Sequence, residues 1–192
     1  MKAICVYCGS SLGTDGRYEV AARSLGAAIV KAGARLVYGG GKAGLMGVVA
    51  DAALSQGGEV VGVIPKHLED REIAHPGLTE LHVVTSMHER KRTMMDLSDC
   101  FIALPGGFGT LEELSEVLSW AQIGLHGKPV GLLDVAGFYD TLRRFFDTMV
   151  KEGFLLRRSR DLVFHDDEPA RLIARMHGTH GAPFDRWAAD RE

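Results

Sequence analysis

Pro105-Gly106-Gly107-Phe108-Gly109-Thr110-Leu111-Glu112-Glu113 stands between two stretches of different periodicity. Ahead of it, Asp99-Cys100-Phe101-Ile102-Ala103-Leu104 is a short apolar run of the kind that makes a buried strand. Behind it, Leu111, Leu114, Val117, Leu118, Ala121 and Leu125 recur at helical spacing. The glycines therefore form a strand-to-helix turn. At a helix N-terminus the first backbone N–H groups have no partner inside the helix, and the dipole adds partial positive charge. Glycines let a bulky anion approach the backbone, so Gly106, Gly107, Phe108, Gly109 and Thr110 suit a phosphate, with the Thr110 hydroxyl as a further donor. A tight turn alone would also use Pro-Gly-Gly, but it needs no third glycine followed by Thr and two carboxylates. Glu113 borders the apolar stripe of the following helix, whereas Glu112 points nearly away from it. A carboxylate beside the buried face of a first turn is held ionised by the dipole, which suits a base or an electrostatic stabiliser.

Outward from this turn, residues 2–7, 35–38, 59–64, 81–84, 129–133 and 161–164 read as further strands. Helices are expected over 17–31, 45–55 and 138–150, from Ser86 and from Pro169, with 66–79 irregular. Ser86-x-x-Glu89 has the spacing of a capping box. Strands alternating with helices of about a dozen residues specify an α/β fold, a mainly parallel sheet covered on both faces. Ligands in such sheets bind at the carboxyl ends of the strands, so the small-residue loops at 8–11, 39–44 and 105–110 should gather on one edge. No linker or repeat divides the chain. Residues 1–177 are expected to form one domain and 178–192 a loose tail.

Two more stretches carry chemistry. Gly39-x-Gly41-x-x-Gly44 matches a dinucleotide fingerprint, but in the second βα unit, where a loop facing phosphate or sugar through Gly40 and Gly41 and a turn for close helix–strand packing are both open. In Ser86-Met87-His88-Glu89-Arg90-Lys91-Arg92-Thr93-Met94, Met87 and Met94 share a helix face, and Arg90 and Lys91 interrupt that inward stripe. Two inward cations are costly unless an anion meets them, the alternative being that their stems snorkel and leave the heads in solvent.

The 192 residues are 46% hydrophobic and 24% charged, enough for one good core, and the net charge of −3 gives no sign of nucleic-acid binding. Three cysteines make no disulfide framework. Cys5 and Cys8 have CxxC spacing but fall in a strand, on opposite faces, which fits reduced thiols of a cytoplasmic protein. No stretch approaches the roughly 18 apolar residues that span a membrane, the chain enters a strand too soon for a signal peptide, and no metal-ligand spacing is present.

Together, Met87-His88-Glu89-Arg90-Lys91 and the Pro105–Glu113 stretch resemble the paired signature of the Lonely Guy (LOG) family. The likeness runs from Cys8-Gly9-Ser10-Ser11 through Gly44-Leu45-Met46-Gly47, Trp120-Ala121-Gln122 and Lys128-Pro129-Val130-Gly131-Leu132-Leu133 to about residue 176. The resemblance implies a Rossmann-like three-layer α/β/α fold and, usually, a homodimer. It implies a phosphoribohydrolase of cytokinin biosynthesis that cleaves the N-glycosidic bond of N6-modified adenosine 5′-monophosphates, or of AMP, without a cofactor. It further implies Arg90 and Glu113 as the catalytic pair, and Lys91, Gly107 to Thr110, Glu72 and Ser119 as substrate contacts. A non-catalytic nucleotide or cofactor carrier is the competing class, since the same loop would serve it. Glu113 beside the turn, with an inward Arg90, favours an enzyme.

Overall fold

A computed structural model describes residues 1–69 and 74–179. In chain order the elements are β1 (Ala3–Tyr7), α1 (Gly16–Lys31), β2 (Arg35–Tyr38), α2 (Gly44–Ser55), β3 (Val60–Pro65), α3 (Lys66–Glu69), β4 (Glu80–Val84), α4 (Met87–Asp96), β5 (Cys100–Ala103), α5 (Phe108–Gln122), β6 (Val130–Leu133), α6 (Asp140–Lys151), α7 (Arg157–Arg160), β7 (Val163–Asp166) and α8 (Pro169–Met176). The strands form one sheet in the order β4-β3-β2-β1-β5-β6-β7, with every pair parallel. The central strands are near-continuous Val/Ile/Leu/Cys runs, as burial on both faces requires.

One apolar layer joins Ile4, Val6, Leu36, Tyr38 and Ile102 to α1, α2 and α8; the other joins Cys5, Tyr7, Val37 and Phe101 to α4 and α5. Cys8 falls in the first layer and Cys5 in the second, as an offset of three along a strand dictates.

The chain winds outward from β1 to β4, returns to lay β5 on the other side of β1, and winds outward again. The carboxyl ends of β1 and β5 are therefore the switch point of the sheet, where a crevice opens between loops that leave in opposite directions. The loops there are laced together. Gly9 N–H donates to Pro105 O at 3.1 Å, and Leu45 N–H donates to Gly9 O at 3.0 Å. Gly44 has φ +59°, and a Cβ on it would lie 2.3 Å from backbone atoms of Ser10 and Ser11. The three small-residue loops do gather on one edge.

Two expectations change here. Residues 66–69, read as irregular, form a helical turn. Helix α5 begins at Phe108, three residues before its apolar stripe: Gly107 is the N-cap, and Phe108, Gly109 and Thr110 form the first turn. Glu113 is then in the second turn, where the dipole has largely faded. Residues 180–192, most of the expected tail, lie outside the described residues.

Candidate active site

The crevice holds a cavity of about 280 Å³. It is lined by the end of β1 and its loop (Tyr7 to Ser10), by Gly39, Met46 and Leu68, by Met87, Arg90 and Met94 of α4, and by Gly107 to Thr110, Glu112 and Glu113. Its composition is that of a ligand site, apolar walls with a few convergent polar groups.

The floor is the N-terminus of α5. Its N-cap is Gly107, which has no side chain to occupy the first N–H groups. Thr110 is buried, and a Cβ on Gly106 would sit 2.1 Å from its Oγ1 and 2.9 Å from Gly9 N, so Gly106 is needed for packing. Gly107 and Gly109 differ. A Cβ on either would meet no atom of the described residues within 4 Å, and neither has a positive φ. Nothing within the described fold demands glycine at these two positions; a ligand approaching the backbone does.

The wall opposite is Arg90, only 5% exposed. Its Nε donates to Val63 O at 3.0 Å and its Nη2 to Gly39 O at 2.8 Å, while Nη1 lies 3.8 Å from Met87 Sδ. Two backbone carbonyls at the ends of β2 and β3 thus fix the guanidinium plane. Gly39 makes room for it: a Cβ there would stand 2.1 Å from Nη2. Helix α4 is set by Ser86, whose hydroxyl accepts from Glu89 N–H at 3.1 Å. The return arm of the capping box lands one residue early, because Glu89 accepts from the N–H and hydroxyl of Thr85 at 2.7 and 2.6 Å. Those bonds hold the Glu89 carboxyl below its usual range.

Lys91 faces away from the cavity. Its Nζ donates to Glu112 Oε1 at 2.5 Å and lies 3.0 Å from Glu116 Oε1. Burial alone would lower this ammonium's pKa, but the two carboxylates outweigh it and hold it above the ordinary lysine range. The inward stripe of α4 is therefore cationic, its heads buried rather than snorkelling. Arg90 faces backbone carbonyls and the cavity, and Lys91 faces carboxylates of α5.

Several expected contacts are placed differently. Lys91 does not line the cavity. Ser119 is exposed on the far side of α5, in a separate shallow groove with Leu118, Gln122, Phe146 and Met149. Six residues beyond Glu113, it is rotated well away and roughly 9 Å further along the axis. Gly40 has φ +79° and packs on β3, where a Cβ would meet Ile64 and Val63 at 3.3 Å; Gly41 bridges to Ala74. At Gly40 and Gly41 this loop packs closely against its neighbours, and the glycine it contributes to the cavity lining is Gly39. No spacing could single out Gly39, since the reason for it is a guanidinium arriving from 51 residues away. Glu72 lies outside the described residues.

Cys8 reaches the cavity, but burial pushes its thiol well above the usual range, with the charge of Glu113 adding and that of Arg90 partly offsetting. It is held protonated, which removes a thiolate nucleophile. Among the described residues no group of three His, Cys, Asp or Glu is placed to hold a metal ion.

Residues 46–176 match a protein family described as "possible lysine decarboxylase". The chain is 49% identical to the rice (Oryza sativa subsp. japonica) cytokinin riboside 5′-monophosphate phosphoribohydrolase LOG, over 91% of this chain and 72% of that one. The chain belongs to the LOG family. The LOG1 enzyme of Arabidopsis thaliana is 48% identical over 91% of this chain and 82% of its own. Among solved structures, the LOG fold seen here is similar to the molybdenum cofactor carrier protein of Chlamydomonas reinhardtii (TM-score 0.69, 24% identity, 91% of this chain and 95% of that one). It is also similar to the molybdenum cofactor binding protein of Rippkaea orientalis (TM-score 0.68, 22% identity, 91% and 95%). At those identities the likeness is one of fold. The LOG relatives share sequence as well, over about nine-tenths of this chain.

Proposed function

We propose that this protein hydrolyses the N-glycosidic bond of N6-modified adenosine 5′-monophosphates, releasing free base and ribose 5-phosphate, as a cytoplasmic homodimer. The observation that carries the reading is the pair Gly107 and Gly109, glycines for which the fold gives no packing reason, at an uncapped helix N-terminus facing Arg90 and Glu113. The substrate 5′-phosphate rests on the N–H groups of Phe108, Gly109 and Thr110 and on the dipole of α5. That anchorage holds the sugar so that its C1′–N bond lies over the cavity wall, an orientation effect.

The bond breaks through an oxocarbenium-like sugar, and a carboxylate then stabilises the cation or activates the attacking water. Glu113 has that role. Early in α5, in the same cavity as the Arg90 guanidinium, it acts as an anion rather than a proton donor. Arg90 cannot give up its proton at ordinary pH, so it steadies developing negative charge instead. Met46, Met87, Met94 and Leu68 form a yielding apolar wall suited to the flat base. The matched family is described as a possible lysine decarboxylase. None of the described residues lining the cavity is a lysine that could form the Schiff base of pyridoxal chemistry.

Support for the dimer comes from α6. Leu142, Phe145, Phe146 and Met149 share one face, yet no residue of this helix is buried and Phe145 is half exposed. With the nearby flank of α5, this apolar surface fits a second copy. The functional test is product release. Given N6-isopentenyladenosine 5′-monophosphate, AMP and the matching nucleosides, the protein should free base from the nucleotides only. Comparable kcat/KM for nucleoside and nucleotide would overturn the phosphate anchorage, since each charged hydrogen bond to that phosphate is worth roughly 1.5–3 kcal/mol.

A further inference from the structure

The glycine turn has a second side. Away from the cavity, Gly106, Gly107 and Thr110 face Phe138 and Tyr139 across a separate, mostly apolar hollow. Tyr139 is buried and does not line the cavity. Its hydroxyl donates to Leu104 O at 2.6 Å, bridging 35 residues of sequence. That carbonyl belongs to a fully buried residue and immediately precedes Pro105. The pairing of β5 with β6 stops at Ala103 and Leu132, and Asp134 N–H goes instead to Asp166 O at 2.9 Å. Leu104 O has thus left the sheet, and among the described residues the phenol is its hydrogen-bond partner.

Tyr139 is itself held from behind. Its N–H donates to Asp134 Oδ1 at 2.8 Å, and the buried Asp134 carboxylate also lies 3.4 Å from Arg143 Nη1. Between Asp134 and Tyr139 the chain makes a tight turn, Val135–Gly137, in which Ala136 has φ +54° and Gly137 φ +76°. A residue other than glycine stays in the left-handed region only where its surroundings over-determine it, and such places cluster at functional sites. Here the outcome of the turn is a phenol aimed at the last carbonyl before the glycine turn.

We propose that Tyr139 is a positioning residue: its hydroxyl fixes Leu104 O and thereby sets the direction in which the N–H groups of Phe108, Gly109 and Thr110 point at the substrate 5′-phosphate. The inference rests on the functional reading, since it takes the turn as the phosphate seat. The path from hydroxyl to seat is short. Leu104 N–H donates to Tyr7 O at 2.9 Å, so β1 holds one side of the residue and Tyr139 the other. Pro105 O next accepts from Gly9 N–H, Gly106 packs on Thr110, and Gly107 is the N-cap of α5. Without the hydroxyl a buried carbonyl has no partner, a cost the peptide relieves by turning toward another donor.

Tyr139→Phe removes one oxygen and keeps the ring. Calorimetric binding of ribose 5-phosphate and, separately, of the free base N6-isopentenyladenine is measured beside the KM for N6-isopentenyladenosine 5′-monophosphate and a melting curve. Positioning predicts that ribose 5-phosphate binds about tenfold more weakly and KM rises to match, the loss of roughly one charged hydrogen bond, while base affinity stays near wild type. Asp134→Ala, which releases the Tyr139 N–H, should show the same selective loss, and it decides the matter if Tyr139→Phe does not fold. A lower melting temperature with both affinities unchanged would overturn the proposal and make the bond one of stability alone. Equal weakening of both probes would overturn it too, as a general loosening of the crevice. A wild type that binds no ribose 5-phosphate and frees no base would instead sink the functional reading, and the positioning role with it.

Discussion

At the scale of single residues, the site depends on glycines for three different reasons. Gly107 and Gly109 leave the backbone open to an anion, Gly106 makes room for Thr110, and Gly39 makes room for Arg90. The last gives a sharp prediction. Gly39 does not have a positive φ, so alanine is tolerated by the backbone, but its methyl would occupy the space of Nη2. Gly39→Ala should melt close to wild type and yet turn over about 10²-fold more slowly, through a displaced guanidinium. Kinetics beside a melting curve check this, and a variant with wild-type kcat would show that Arg90 need not sit on Gly39 O. Sequence made the glycine turn, Arg90 and Glu113 legible because helical periodicity fixes which face each side chain takes. That Gly40, Gly41, Lys91 and Ser119 do not line this cavity was not legible, because it depends on what the neighbouring element presents, and periodicity within one element does not contain that.

At the scale of elements, all seven strands and the long helices were readable, since apolar runs and amphipathic stripes reflect burial against a sheet. The start of α5 was not, because its first turn, Phe108-Gly109-Thr110, opens on an exposed Phe108 and a glycine that do not continue the buried stripe. The same shift places Glu113 in the second turn, beyond the strongest part of the dipole, in a cavity that Arg90 also lines. The far end of α5 carries a separate device. His126 is buried against Phe101, its Nε2 donates to Val117 O at 2.9 Å and its Nδ1 accepts from Lys128 N–H at 3.1 Å. With one nitrogen donating and the other accepting, the ring is neutral. Burial lowers its pKa below the ordinary 6.5. The unfolded chain then takes up a proton at a pH where the fold does not, so stability is intact above about pH 6.5 and falls as pH drops below it. Urea midpoints measured from pH 7.5 down to about 5 should show that fall in the wild type and a shallower one in His126→Gln.

At the scale of the whole molecule, the outward-return-outward winding of the sheet brings loops distant in sequence to one crevice, and the two halves of the site arrive from opposite sides of it. Helix α6 lies on the surface with Phe145 half exposed and Leu142, Phe146 and Met149 only partly covered, so light scattering at micromolar concentration should give twice the chain mass. Phe145→Asp should shift the population toward the monomer, and a monomeric wild type would contradict the dimer. The central claim is that this crevice breaks a glycosidic bond with Glu113 as its anion. Glu113→Gln keeps the shape of the side chain and removes only its charge. Measured on N6-isopentenyladenosine 5′-monophosphate, with ribose 5-phosphate binding as the control, it should lower kcat by about 10²–10⁴-fold and leave the affinity nearly unchanged. Retained kcat with lost binding would contradict the account and make Glu113 a substrate-positioning residue rather than the seat of the chemistry.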